Sequence, residues 1–514
     1  MRLLQTAPHA LWFITTIGTL HEKYQFTKAL SRRGGPGVWS SHNSYQLSAH
    51  TANRKRDATL SSVPIFSEDW LTRAEARVNA DPELNLIGGW FTVAFSLTSA
   101  ERRAILRFER GRLVEAIATP RIDTRCAFGF RASPEIWAKF FARDPEPLYH
   151  DFFAMLMRVP GFVLEGDTLV AMQHARALHR AMNVMRQARD EDAEEPEDAE
   201  DIDNAERGNE HAVPQQETSA SSAPSKPSTP FATSTNVEPI VGRYLNLAIG
   251  GVAHRLFFEE AGEGIPLLCL HTAGADSRQY RHLLNDPAIT QRYRVVAFDL
   301  PYHGRSNPPD GWWLRKYQLK TADYLAIIRA VWIALDLVRP VVIGGSMGGA
   351  IVLKLAAEYQ KELRGIIGLE SSAFAPGRDN DYLHHPAIHG GELVASYTYG
   401  LCAPKSPEAS ARENWWYYSQ SGPGVYAGDV YYYSVDWDGR EDIQRIDTSV
   451  CRVSLLTGSY DYSCTPDMTR AVAQAIRGSR LVIMEGMGHF PMIENYSAFR
   501  EFLLPELEYM AGQT

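Results

Sequence analysis

Apolar residues in the C-terminal half of this chain come in short, nearly unbroken runs separated by glycine-rich turns. Residues 266–270, 295–298, 340–343, 366–369, 452–456 and 480–484 are the clearest of them. Such runs, bounded by turn residues, read as strands buried inside a sheet. Between two of them, 350–357 carries the composition of a buried helix. The N-terminal half has a different rhythm. There 86–95, 104–108 and 113–117 read as strands with a turn at Gly111, and 134–141 reads as an amphipathic helix. Further along come 152–157, a turn at Pro160-Gly161, the segment 162–167 and a helix over 168–187. The pattern predicts an α/β C-terminal domain behind a smaller α+β domain over 66–188.

Composition adds the boundaries. At 514 residues the chain is too long for one ordinary core. Its net charge of −9 is unevenly placed: residues 190–240 hold 14 acidic and 2 basic residues, which leaves the remainder near +3. The acidic run 190–206 and the Ser/Thr/Pro/Ala-rich stretch 215–237 bury too little apolar surface to offset ordering. They predict a disordered linker over 189–240. The near-neutral remainder argues against a nucleic-acid interface, and no apolar run is long enough for a membrane span. Five scattered cysteines without C-x-x-C spacing argue against a disulfide framework or a zinc ribbon, and for a reducing compartment. Residues 1–65 are basic and acid-poor, as in a disordered or targeting segment. Arg2-Leu3 followed after five residues by His9-Ala10 resembles an amino-terminal peroxisomal address. The expected location is the cytosol, with the peroxisome second.

Candidate chemistry centres on Gly344-Gly345-Ser346-Met347-Gly348, set between a predicted strand and a predicted helix. A sharp strand-to-helix turn lifts its apex hydroxyl clear of the sheet, and glycines two before and two after let the backbones pass. A serine hydroxyl needs a base, and the base needs an orienting acid. Downstream, Asp461 follows the strand 452–458, and His489 follows the strand 480–484. Glu370, Asp436 and Asp438 are alternative acids. The order Ser346, Asp461, His489 resembles the triad of the α/β-hydrolase superfamily.

That resemblance covers 241–514 and implies a mostly parallel central sheet with a helical cap at about 373–441. It also implies an oxyanion hole made by the backbone amides of Met347 and Ala273. In the loop 271–275, Thr272 stands where the family has glycine, so a differently shaped loop is expected. The stretch 295–306 resembles the family's strand and turn between oxyanion loop and nucleophile, which gives Asp299, His303 and Arg305 architectural roles. His271 is expected to brace its loop. Rings crowd the cap, and Trp415, Trp416 and Tyr432 are the candidates for binding an apolar or aromatic acyl group.

The element order of 66–188 resembles the sterol-carrier-protein fold, which implies a tunnel for a lipid or acyl chain; a docking or dimerisation domain is the rival. The expected activity is hydrolysis of a carboxylic ester or lactone, with no cofactor and no metal. Acyl-thioester and carbon–carbon hydrolysis use the same triad and stay open. A lipid-binding or scaffolding protein with a silent hydrolase fold is the non-enzymatic reading.

Overall fold

The computed structural model describes residues 63–100, 102–189 and 237–512. The targeting segment, apart from residues 63–65, and most of the linker lie outside them.

In the N-terminal domain, strands β1 (Val93–Ser99), β2 (Arg102–Glu109), β3 (Arg112–Ile117), β4 (Phe128–Ala132) and β5 (Val163–Gly166) form one mixed sheet in the order β3-β2-β1-β4-β5. Only β1 and β4 run parallel. Helices Glu68–Ala80, Phe152–Arg158 and Ala175–Arg186 turn buried faces toward the same core. That core is occupied by rings in mutual contact, among them Phe95–Phe128 at 5.3 Å and Trp137–Phe141 at 5.6 Å between centroids.

Two expectations change here. The segment from Leu86 to Trp90 is helical, because Asp81 caps the turn by accepting from Leu84 N–H at 2.7 Å and Pro82 opens the helix. The strand starts only at Val93. The helix expected over 168–187 breaks at His174 into Thr168–Gln173 and Ala175–Arg186.

The second sheet has eight strands: β6 (Val241–Ile249), β7 (Val252–Ala261), β8 (Ile265–Leu270), β9 (Tyr293–Phe298), β10 (Val341–Gly345), β11 (Gly365–Leu369), β12 (Arg452–Gly458) and β13 (Arg480–Met484). Their order is β13-β12-β11-β10-β8-β9-β7-β6. Six are parallel, and an antiparallel hairpin, β6–β7, closes one edge. Every residue of β10 and β11 is buried, as expected of strands covered on both faces. The helix Met347–Tyr359 covers one face with Gly348, Gly349, Ile351, Val352 and Leu355. Helices Gly390–Gly400, Glu408–Ser419 and Val425–Tyr431 form the cap, which ends in a π turn at Tyr432–Asp436.

One apolar cluster runs from the N-terminal domain through the cap into the eight-stranded sheet. Polar contacts follow the same seam: Arg176 meets Glu392 at 3.1 Å, and Tyr382 Oη donates to Thr168 Oγ1 at 2.6 Å. No helix among the described residues is long and apolar enough to cross a membrane.

Candidate active site

Parallel strands bring their carboxyl ends to one edge of a sheet, and loops leaving that edge hold ligand sites in open α/β folds. Here Thr272, Ser346, Glu370, Asp461 and His489 all follow the carboxyl ends of β8, β10, β11, β12 and β13.

Ser346 sits between β10 and its helix at φ 53°, ψ −108°, a left-handed backbone that a serine adopts only where its surroundings impose it. Its N–H donates to Leu369 O at 2.9 Å and its carbonyl accepts from Ala350 N–H at 2.8 Å. A Cβ on Gly344 would lie 2.3 Å from Gly348 O, and one on Gly348 would lie 2.4 Å from Leu270 O. The two glycines are there for close backbone approach. Met347 opens the helix, so its N–H has no intrahelical acceptor.

His489 Nδ1 faces Asp461 Oδ2 at 2.7 Å, with both side chains buried. Asp461 Oδ1 accepts from Ser463 N–H at 2.7 Å and Cys464 N–H at 3.0 Å. Burial works to raise its pKa, but His489 and these hydrogen bonds outweigh it and hold the carboxyl below its ordinary value. Glu370 lies on the other side, its pKa pushed well above the usual range by burial and by Asp461. The proton between the two therefore rests on Glu370, which hydrogen-bonds Asp461, while Gly458 N–H donates to both Glu370 oxygens at 3.1 Å. Ligand atoms of Glu370, Asp461 and His489 fall within 4.8 Å of one another. The two other acids of interest are elsewhere: Asp436 accepts from Thr321 N–H and Oγ1, and Asp438 pairs with Arg440.

In the loop 271–275 the left-handed residue is Gly274, at φ 72°, and not Thr272. Thr272 N–H and Oγ1 both donate to Gln279 Oε1, at 3.0 and 3.1 Å, and Oγ1 also meets Tyr418 Oη. Side-chain hydrogen bonds thus tie Thr272 to the segment Ser277–Tyr280 and to the cap helix Glu408–Ser419. His271 accepts from Leu300 N–H at Nε2, 3.2 Å, so Nδ1 carries the proton that meets Thr272 O at 2.8 Å. Burial, reinforced by His303, lowers its pKa to about 4, and it stays neutral as a brace.

A narrow cavity joins Ser346, His489, Ala273 and Thr272 to the cap. Its cap wall is Tyr397, Leu401, Tyr418, Tyr426 and Tyr433, with Ser463 and Phe490 beside them. The three rings singled out in the sequence are not in that wall. Trp416 is 54% exposed, Trp415 stacks under Arg176 at 4.3 Å toward the N-terminal domain, and Tyr432 is buried against Tyr324 and Trp437. The helical period explains the displacement. Neighbouring residues of a helix point to different faces, so Tyr433 lines the cavity while Tyr432, one position before it, packs on Tyr324 and Trp437. Tyr397 lies outside the aromatic-dense stretch 415–437.

Residues 265–496 match the family model described as alpha/beta hydrolase fold. The fold of this region is the α/β-hydrolase fold, and a mixed five-stranded α+β domain precedes it. A serine hydrolase-like protein of Danio rerio is 34% identical over 119 residues, 23% of this chain and 34% of that protein. A 2-hydroxy-6-oxo-6-phenylhexa-2,4-dienoate hydrolase of Comamonas testosteroni is 32% identical over 130 residues, 24% of this chain and 43% of that protein. Among solved structures, a thermophilic esterase from Thermogutta terrifontis aligns at 19% identity over 52% of this chain and 99% of that one, with a TM-score of 0.47. The chain spans less than half the length of the curated relatives it matches first.

Proposed function

We propose that this chain is a serine hydrolase that cleaves a carboxylic ester or lactone of a small apolar or aromatic metabolite through an acyl-enzyme. His489 takes the Ser346 proton as Ser346 Oγ attacks the carbonyl, and the amides of Met347 and Ala273 receive the negative charge on its oxygen. Asp461 keeps the imidazole oriented and stabilises its cation, which then protonates the leaving group. Water, deprotonated by His489, releases the acid. The observation that carries this reading is the strained Ser346 sharing one cavity with a histidine whose Nδ1 is held by a buried carboxylate.

The narrow space before Ser346, walled by Tyr397, Tyr418, Tyr426, Tyr433 and Phe490, supports a compact apolar or aromatic acyl group. Carbon–carbon hydrolysis is the second reading, favoured by the Comamonas relative's name and by four tyrosines at the cavity. A fluorophosphonate probe tests the nucleophile: wild type should label and Ser346→Ala should not. Folded wild type that stays unlabelled would instead support a binding protein. Turnover of esters, lactones and vinylogous diketones then separates the two chemistries.

A further inference from the structure

Two consecutive peptide units in the loop after β12 link a distant arginine to the triad acid. Their N–H groups, those of Ser463 and Cys464, donate to Asp461 Oδ1 at 2.7 and 3.0 Å. Their carbonyls, those of Tyr462 and Ser463, accept from Arg158 Nε at 2.7 Å and Arg158 Nη2 at 2.8 Å. Arg158 ends the helix Phe152–Arg158 and belongs to the five-stranded domain, 304 positions before Tyr462. Arg378 Nη2 reaches the same Ser463 carbonyl at 2.5 Å.

The physics of this chain of groups is directional. A cation at the carbonyl end of a peptide polarises it and makes its N–H a stronger donor, and an environment of low dielectric strengthens the effect. Arg158 is largely buried; burial and the neighbouring Arg378 lower its pKa to about 10, so it stays a cation at neutral pH. Its planar fork spans two successive carbonyls, which a lysine ammonium cannot reproduce. The helix that carries it is itself anchored. Asp151 caps it by accepting from Phe153 N–H at 2.8 Å and holds buried His179 at 2.5 Å. The Asp461 loop rests on the same domain through Tyr460 Oη to Pro145 O, 3.2 Å, and through Tyr462 against His150.

We propose that Arg158 is a positioning residue for the triad, acting on Asp461 through the Tyr462–Ser463 and Ser463–Cys464 peptide units. The N-terminal domain is then a working part of the hydrolase site, beyond any role as a separate module. This rests on the serine-hydrolase reading of Ser346, His489 and Asp461.

The test uses the full chain and two readouts: the rate of fluorophosphonate labelling, and kcat and KM for p-nitrophenyl acetate. Arg158→Met should lower labelling rate and kcat by about 10- to 100-fold, the scale of a displaced catalytic group, with KM held within about threefold. Arg158→Lys should recover part of the loss. In an Asp461→Asn background, Arg158→Met should cost less than about threefold, because groups acting through one another are not additive. A loss of equal size in both backgrounds would make Arg158 ordinary domain glue and overturn the proposal, as would a folded R158M with wild-type rates. If circular dichroism shows R158M unfolded, the same cycle is read with R158K. Labelling of S346A as fast as wild type would instead bring down the underlying hydrolase reading.

Discussion

The backbone N–H of Gly274 donates to the Asp429 carboxylate at 2.7 Å, so the turn beside Ala273 is fastened to the cap. Asp429 comes from the cap helix Val425–Tyr431 and is fully buried. The same oxygen meets His303 Nε2 at 2.7 Å, and its other oxygen accepts from Tyr317 Oη at 2.8 Å. His303 Nδ1 meets Pro301 O at 2.9 Å, so both ring nitrogens face acceptors and the ring is an imidazolium.

Asp429→Asn should therefore destabilise the protein and slow labelling of Ser346. Removing one partner of a buried ion pair costs about 3–5 kcal/mol, readable as a lower urea midpoint. Burial would lower the pKa of His303, but Asp429 outweighs it and raises the value above its ordinary one. Stability from the pair is thus fully present below the ordinary histidine pKa and lost as pH rises through the raised one. D429N should lose this part of the slope and keep the part that belongs to Glu494, and a slope as steep as that of wild type would place its origin elsewhere.

Glu370 should tolerate an amide and not a deletion. It stands at φ 50° directly after β11, with its proton directed to Asp461 and its oxygens on Gly458 N–H. Glu370→Gln keeps a donor and an acceptor in the same places, so labelling should stay within several-fold of wild type. Glu370→Ala strips a hydrogen bond from Asp461 and orphans Gly458 N–H, at a cost of about 1–3 kcal/mol for each buried group left unpaired. Thermal melts of the two variants should separate accordingly. Equal melting temperatures would argue against the protonated carboxyl.

Behind His489, Glu494 takes Gly488 N–H on one oxygen and Phe490 N–H on the other, at 3.3 Å for the second. Burial, only partly offset by these N–H groups, pushes its carboxyl up to about 7. A raised carboxyl stabilises the fold while protonated, fully below the ordinary value near 4.5. That contribution is lost as pH rises through about 7. Wild type should lose stability between pH 5 and 8, on the order of 3 kcal/mol from this group, and Glu494→Gln should flatten that part of the curve. Denaturant midpoints across the range decide it.

How far the sequence leads depends on whether a feature is local. The central parallel strands announce themselves because burial on both faces demands unbroken apolar runs, and Ser346 because its turn demands glycines at fixed spacing. The N-terminal domain is harder to read. Trp90 and Leu86 look like strand residues yet stand exposed on a capped helical turn, and β4, with Gly129 and Arg131 in it, has no apolar run to mark it. Arg158 is invisible in the sequence: its partners lie some three hundred positions away, and an arginine at a helix end is ordinarily read as a complement to the helix dipole.

The cavity wall gives the sharpest contrast between pattern and packing. Tyr397, Tyr426 and Tyr433 border the space in front of Ser346, while Trp416 is exposed on the cap helix that lies between Tyr397 and Tyr426 in the chain. Tyr433→Leu and Tyr426→Leu remove hydroxyls and reshape the wall, so they should alter KM or the preference among acyl groups by about tenfold, the worth of one well-placed contact near 1.4 kcal/mol. Trp416→Leu should leave kcat and KM within about twofold of wild type, since an exposed ring away from the site contributes little to either. A panel of p-nitrophenyl esters of rising acyl length reads both effects together. If W416L shifted acyl preference while Y433L and Y426L did not, the substrate would lie on the outer face of the cap, and the cavity before Ser346 would not be its acyl site.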